Sequence, residues 1–197
     1  MALGEILDRC RRDDAVLEMG AASYSPLLSC LTQYGFTHLQ GIDLVRTKTD
    51  HRGPIVLRQG DLTATSFKDD SFRAIACLSV VEHGVDLRAY LVEAARLLRP
   101  GGVLISTDFW CGDLDTAGKS AYGVPVHVFN PPEIRAFIAL ARELGFGTPR
   151  RQRLDCGDAV VHWRAVDLDY TFVNIVLTAD PGSPRARLST LAHRVRG

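Results

Sequence analysis

Three acids stand at the ends of apolar runs: Glu18 in Val16-Leu17-Glu18-Met19-Gly20, Asp43 in Gly41-Ile42-Asp43-Leu44, and Asp61 in Gly60-Asp61-Leu62. If each run is a strand of one parallel sheet, their carboxyl ends share an edge, and the three carboxylates line a crevice that fits a nucleoside-bearing ligand. Glu18 and Asp43 lie 25 residues apart, near the offset at which a mononucleotide-binding unit sets an acid against ribose hydroxyls. Asp61 is placed to accept from an exocyclic amine such as that of adenine. Gly20-Ala21-Ala22-Ser23 falls where the first strand must turn into a helix, and small residues there let a ligand approach the main chain. Singly, each acid is as readily a helix cap or a solvated turn. Order and spacing give them weight together.

The elements that must position these acids follow from the apolar pattern. Ile6 and Leu7 among charges predict a short amphipathic helix over the first dozen residues, ending at Arg11-Arg12-Asp13-Asp14. Strands are expected over Ala15–Met19, His38–Leu44, Ile55–Arg58, Arg73–Val80 and Val103–Asp108, the fourth almost wholly apolar as a strand covered on both faces should be. Ser25-Pro26 opens a helix that Gly35 ends, Asp86 caps another that Arg99-Pro100-Gly101-Gly102 stops, and Asn130-Pro131-Pro132-Glu133 starts a third that closes at Gly145. Strand alternating with helix predicts an α/β fold, Rossmann-like and doubly wound, with a mostly parallel seven-stranded sheet. Ala159–Trp163 and Tyr170–Thr178 read as an antiparallel pair at its edge. One domain is expected over 1–180, with a loose tail over 181–197.

Lys+Arg and Asp+Glu are balanced at 23 each, so no global field draws the chain to nucleic acid or an anionic membrane. No apolar stretch approaches a membrane span and no signal segment is apparent, so a cytoplasmic protein is expected. Arg150, Arg151 and Arg153, with four more arginines in the tail, read as solvated charge. The five cysteines, Cys10, Cys30, Cys77, Cys111 and Cys156, show no Cys-x-x-Cys spacing. They are expected to be reduced apolar residues, forming neither a disulfide framework nor a zinc site, and no metal is expected elsewhere.

With these motifs in order, the sequence resembles the class I S-adenosylmethionine-dependent methyltransferases, particularly their small-molecule, single-domain branch, over about residues 13–178. Glu18 and Gly20-Ala21-Ala22-Ser23-Tyr24 match the acid and Gly-x-Gly-x-Gly turn of that family's first motif, Asp43 its second acid, and Gly60-Asp61-Leu62 its third turn. Ser66–Phe72, Leu78-Ser79-Val80-Val81-Glu82-His83 and Leu97-Leu98-Arg99-Pro100-Gly101-Gly102-Val103-Leu104 are similar to its later signatures. The resemblance implies S-adenosylmethionine as cofactor. Glu18, Gly20, Ala21 and Ala22 would hold its methionine end, Asp43 the ribose, Asp61 and Leu62 the adenine, the Ser79 main chain would lie beside the sulfonium, and Leu44 is a further cofactor-binding residue.

The turn departs from the family at two glycine positions. Ala22 fits if its backbone stays in the ordinary region, and Tyr24 either faces the cofactor's carboxylate or crowds the site. Two histidines are candidate catalytic bases: His83 at the mouth of the crevice, and His127 in an aromatic segment with Phe109, Trp110, Tyr122 and Phe129. The function expected is methyl transfer to a small-molecule acceptor, a natural product, sugar or other metabolite. Alternatives are a cofactor-binding domain without turnover, or a nicotinamide-dependent oxidoreductase, for which Gly20, Ala22 and Ser25 fit Gly-x-Gly-x-x-Gly poorly. Few residues precede the first strand. The lid over an acceptor must come from 109–130, from 150–170 or from a second subunit, so an open cleft and a homodimer are further expectations.

Overall fold

The computed structural model describes residues 2–22, 25–148 and 156–180. Its elements run α1 (Ala2–Arg9), β1 (Val16–Met19), α2 (Pro26–Gln33), β2 (Leu39–Asp43), β3 (Asp50–Arg52), β4 (Ile55–Gln59), β5 (Phe72–Leu78), α3 (Leu87–Leu97), β6 (Leu98–Cys111), β7 (Ser120–Ala121), β8 (Val124–Pro125), α4 (Pro131–Glu143), β9 (Phe146–Gly147), β10 (Val161–Trp163) and β11 (Leu168–Ala179). Three helices begin where a side chain can satisfy the first turn's free N–H groups or a proline needs none. Ser25 accepts from Leu28, Asp86 accepts from Arg88 and Ala89, and Asn130 and Glu133 form a reciprocal capping box.

One mixed sheet carries the fold, in the order β10-β11-β6-β5-β1-β2-β4-β3, with β9 also on β11. The pairs from β4 through β2, β1 and β5 to β6 are parallel, while β3, β9, β10 and β11 pair antiparallel at the flanks. The expected α/β architecture and its antiparallel edge pair are present. The strand count is corrected: nine strands stand in place of seven, because the polar Asp50-His51-Arg52 folds back on β4 and Phe146-Gly147 adds to β11. Neither segment, of three and two residues, leaves an apolar period to read.

Alternate residues of the central strands face opposite cores, as strand geometry requires. Val16, Ala74, Ala76, Val103 and Ile105 pack with Ile6 of α1 and Leu27, Leu28 and Leu31 of α2. Leu17, Met19, Ile75, Cys77 and Leu104 pack on the other face with Tyr90 and Leu91 of α3 and Ile134, Phe137 and Ile138 of α4. A third cluster joins Trp110, Val126, Val128, Leu168 and Tyr170 beyond the parallel strands. Gly41 lets the sheet, the first turn and α2 close up, since a Cβ there would lie 2.7 Å from that of Ala21 and 3.2 Å from Leu28 of α2.

The cysteine expectation is also corrected. Cys111, at the end of β6, and Cys156 are joined as a disulfide across 45 residues, their Cα atoms 5.4 Å apart. Cys10, Cys30 and Cys77 are free. Among the described residues no helix is long and apolar enough to cross a membrane, and no cluster of His, Cys, Asp or Glu could hold a metal ion. The arginine cluster at 150–153 and the tail lie outside the described residues.

Candidate active site

The carboxyl ends of β1, β2, β4 and β5 lie side by side, and parallel register sets the spacing: Glu18 is level with Gly41 and Met19 with Ile42. Beyond Met19 the chain turns at once. Gly20 has φ +84, and an added Cβ would collide with Val80, so glycine is required there. Ala21 is buried, and the Gly20 and Ala21 N–H groups both donate to the Ile42 carbonyl, at 2.8 and 2.9 Å. Ala22 does not keep ordinary backbone angles. Its φ is +42, the left-handed region that its methyl group disfavours. Ser23 and Tyr24 lie outside the described residues.

Glu18 is buried at 4% exposure, and its carboxyl accepts a short hydrogen bond from the Ser25 hydroxyl, the group that also caps α2. Burial pushes the carboxyl up to about 7, with the Ser25 hydrogen bond opposing the rise. A carboxyl in this state is poised between its two forms at neutral pH, and a cation brought beside it would tip it to carboxylate.

Asp43 joins the first turn to the second strand. Its Oδ2 accepts from the Ala22 N–H and its Oδ1 from the Val45 N–H, both at 3.0 Å. Each oxygen has a second lone pair, so the carboxylate retains capacity for two hydroxyl donors. A cavity of about 380 Å³ opens beside it, lined by Ala22, Asp43, Val45, Arg46 and Lys48 among others. Arg46 donates to the Ala22 carbonyl at 2.7 Å, bracing the turn from the outside. Leu44 and Val45 stand exposed next to Asp43, at 66% and 83%. Val45 and Arg46 were not among the residues singled out from sequence, although their position directly after the strand-two acid was a signal for both.

Asp61 is exposed and makes a tight turn of its own, its Oδ1 accepting from the Thr63 N–H at 2.8 Å and the Thr63 hydroxyl at 2.7 Å. Leu62 packs partly against the core of the α3 face. Ser79, at the tip of β5, has φ +51 and donates its N–H to the Thr107 carbonyl at 3.3 Å. This left-handed turn breaks the strand's course beside the crevice.

The two candidate histidines are separated. His83 borders a cavity of about 410 Å³ together with Ser79, Trp110, Tyr122, Trp163 and Tyr170. Burial lowers its pKa, against an opposing pull from the Pro125 backbone, so the imidazole is neutral and able to accept a proton near pH 7. His127 instead contacts the Glu133 carboxylate, at 3.0 and 3.1 Å, and borders a different cavity lined by residues 114–120 and 123–126. Glu133 is itself committed to the α4 capping box.

The residues present fit S-adenosylmethionine: a glycine-tight first turn, a carboxyl held near neutrality behind it, and a second acid with lone pairs to spare beside an open cavity. A family model described as a methyltransferase domain matches residues 17–106. Among solved structures, a SAM-dependent methyltransferase of Methanosarcina mazei is 14% identical with a TM-score of 0.63, covering 89% of this chain and 97% of that one. The YcgJ protein of Bacillus subtilis is 14% identical with a TM-score of 0.66, covering 92% and 99%. The 1,6-didemethyltoxoflavin-N1-methyltransferase of Burkholderia thailandensis, with bound 1,6-didemethyltoxoflavin and S-adenosylhomocysteine, is 16% identical with a TM-score of 0.62, covering 91% and 76%. No curated protein matches. At such identities the structural likeness is one of fold, and the domain match lies over the strands and turns that carry the acids. The methyltransferase-domain match over residues 17–106, together with a fold shared with S-adenosylmethionine-dependent methyltransferases, supports methyltransferase activity with S-adenosylmethionine as cofactor.

Proposed function

We propose that this methyltransferase acts in the cytoplasm on a small-molecule acceptor, through a single domain over residues 1–180, with Glu18, Gly20, Ala21 and Ala22 at the methionine end of the cofactor. Asp43 and Leu44 take the ribose, Asp61 and Leu62 the adenine, and the Ser79 main chain lies beside the sulfonium. The observation that carries this reading is the hydrogen bond from Ala22 to Asp43, which fixes the first turn and the ribose acid as one unit at 3.0 Å. Asp61 fits its part because only Oδ1 is used within its own turn, leaving Oδ2 to an outside amine.

The cofactor supplies a methyl group already activated for displacement. The chain's work is therefore to align the acceptor, exclude water and, for an acceptor that arrives protonated, remove a proton. His83 is the better placed of the two histidines for that last task, because it shares a cavity with Ser79, whereas His127 is held by Glu133 elsewhere. No nucleic-acid partner is proposed, given the balanced charge.

Transfer of labelled methyl from S-adenosylmethionine to a panel of neutral metabolites tests the reading. For a hydroxyl acceptor, His83→Gln should lower kcat by about 10²-fold or more while leaving S-adenosylhomocysteine affinity unchanged. In the wild type, the rate should fall as acidification carries His83 through a pKa below its ordinary 6.5. Equal rates in the two proteins would remove His83 from the proposal.

A further inference from the structure

Both tryptophans of the chain border one cavity, and the structure says what kind of molecule would fill it. The cavity lies on the Ser79 side of the crevice, with a volume of about 410 Å³, in the range of small-ligand pockets. Its walls come from four separate places in the chain. His83 follows β5, Trp110 is on β6, Tyr122 is between β7 and β8, and Trp163 and Tyr170 belong to the β10–β11 hairpin. Trp110 stacks on Tyr170 with ring centroids 4.2 Å apart and meets Trp163 edge-on at 5.2 Å. Tyr122 lies near-parallel to Trp163 at 6.0 Å and is 87% exposed, a ring held at the rim.

The lining has no Asp, Glu, Lys or Arg among the described residues. An anionic or phosphorylated acceptor would find no free cation there, because the second histidine of the lining, His162, is already held by the Asp169 carboxylate, its Nδ1 2.7 Å from Oδ1. What the walls offer is ring faces, the neutral imidazole of His83, the Asp169-bonded imidazole of His162, and an unmet donor: Trp110 is 6% exposed and its indole N–H has no partner among the described residues. An oxygen carried into the cavity by a ligand would satisfy that buried donor.

We propose that this cavity is the acceptor site, and that it takes an uncharged ring bearing a hydroxyl, laid against the faces of Trp163 and Tyr122. The inference rests on the reading that the acceptor is a small molecule. A phenolic ring and a sugar ring share the chemistry required, a flat or near-flat apolar face with a hydroxyl at its edge.

Indole fluorescence reads the site directly, since no tryptophan lies outside it. The protein, with saturating S-adenosylhomocysteine, is titrated with catechol and with methyl glucopyranoside as neutral probes, and with phenyl phosphate and glucose 6-phosphate as their charged counterparts. At least one neutral ring should change the fluorescence saturably, at a concentration about tenfold or more below that of its phosphorylated counterpart. Which neutral ring responds decides between the phenolic and sugar sources. Trp163→Ala should weaken binding of the responding ring about tenfold, measured by calorimetry, with S-adenosylhomocysteine affinity unchanged. Tyr122→Asn, on an exposed position whose φ of +54 suits asparagine, should do the same without risk to folding. Equal or tighter binding of the phosphorylated rings, no response to either neutral ring, or unchanged affinity in both variants would each overturn the proposal. Loss of S-adenosylhomocysteine binding in the wild type would instead strike at the cofactor site.

Discussion

Glu18 has the least ordinary setting of the site residues. Held at about 7 by burial, its carboxyl keeps a proton in the folded chain that the unfolded chain has already released above its usual 4.5. Between those values the folded state binds more protons, so this residue's contribution makes stability fall as pH rises from about 4.5 to about 7 and is constant on either side. The difference corresponds to about 3 kcal/mol. Denaturant melts of the wild type and Glu18→Gln should therefore diverge over that window, the variant gaining relative stability toward pH 8. Parallel pH profiles would show that Glu18 titrates normally. The acid itself was legible in sequence as a polar residue ending an apolar strand. Its partnership with Ser25 was not, because Ser25 was readable only as the opening of a helix, and the bend that brings its hydroxyl back to β1 is a tertiary fact.

At the scale of elements, two fastenings hold the crevice's surroundings in place. Arg96 of α3 forms a two-point bond to Glu93, with Nε–Oε2 at 2.9 Å and Nη2–Oε1 at 2.6 Å, and also reaches Asp69 and the Phe67 carbonyl. Thr65 donates to Glu93 from both N–H and hydroxyl. The stretch between β4 and β5, which has no helix of its own, is thereby pinned to α3. Replacing Arg96 by Met leaves the buried Glu93 carboxylate without its cation and should cost about 2–4 kcal/mol in urea melts, whereas a change below about 0.5 kcal/mol would mean the network is only surface charge.

The second fastening is the Cys111–Cys156 bond, which ties the end of β6 to the segment ahead of β10. Thiol titration of the denatured, unreduced protein should find three thiols and the reduced protein all five. Five thiols before reduction would deny the bond. Reduction should lower stability by about 2–4 kcal/mol. This pairing was hidden in the sequence because nothing local marks it. Its two residues meet only when β11 lies antiparallel on β6, with Thr171 opposite Cys111. The same long-range register hid half of the aromatic cavity. Trp110 and Tyr122 could be seen in the irregular segment after β6, but Trp163 and Tyr170 join them only through the edge hairpin.

For the molecule as a whole, the doubly wound plan explains why the placement of the strand-end acids could be read in advance. Parallel strands deliver their ends to one edge, and an acid at the end of each apolar run is a local signal with a fixed address. The acceptor side has no such rule, since it is assembled from loops and an antiparallel hairpin that meet only in the folded chain. Methyl transfer requires both halves, and the cofactor half is the more directly tested. Isothermal titration with S-adenosylhomocysteine and with NAD, on wild type and Asp43→Ala, is the decisive measurement. Saturable binding of S-adenosylhomocysteine, weakened about 10²-fold by Asp43→Ala with no binding of NAD, is the expected result. Tight binding of NAD with none of S-adenosylhomocysteine, or affinity indifferent to Asp43, would contradict a nucleoside held at the strand ends for methyl transfer.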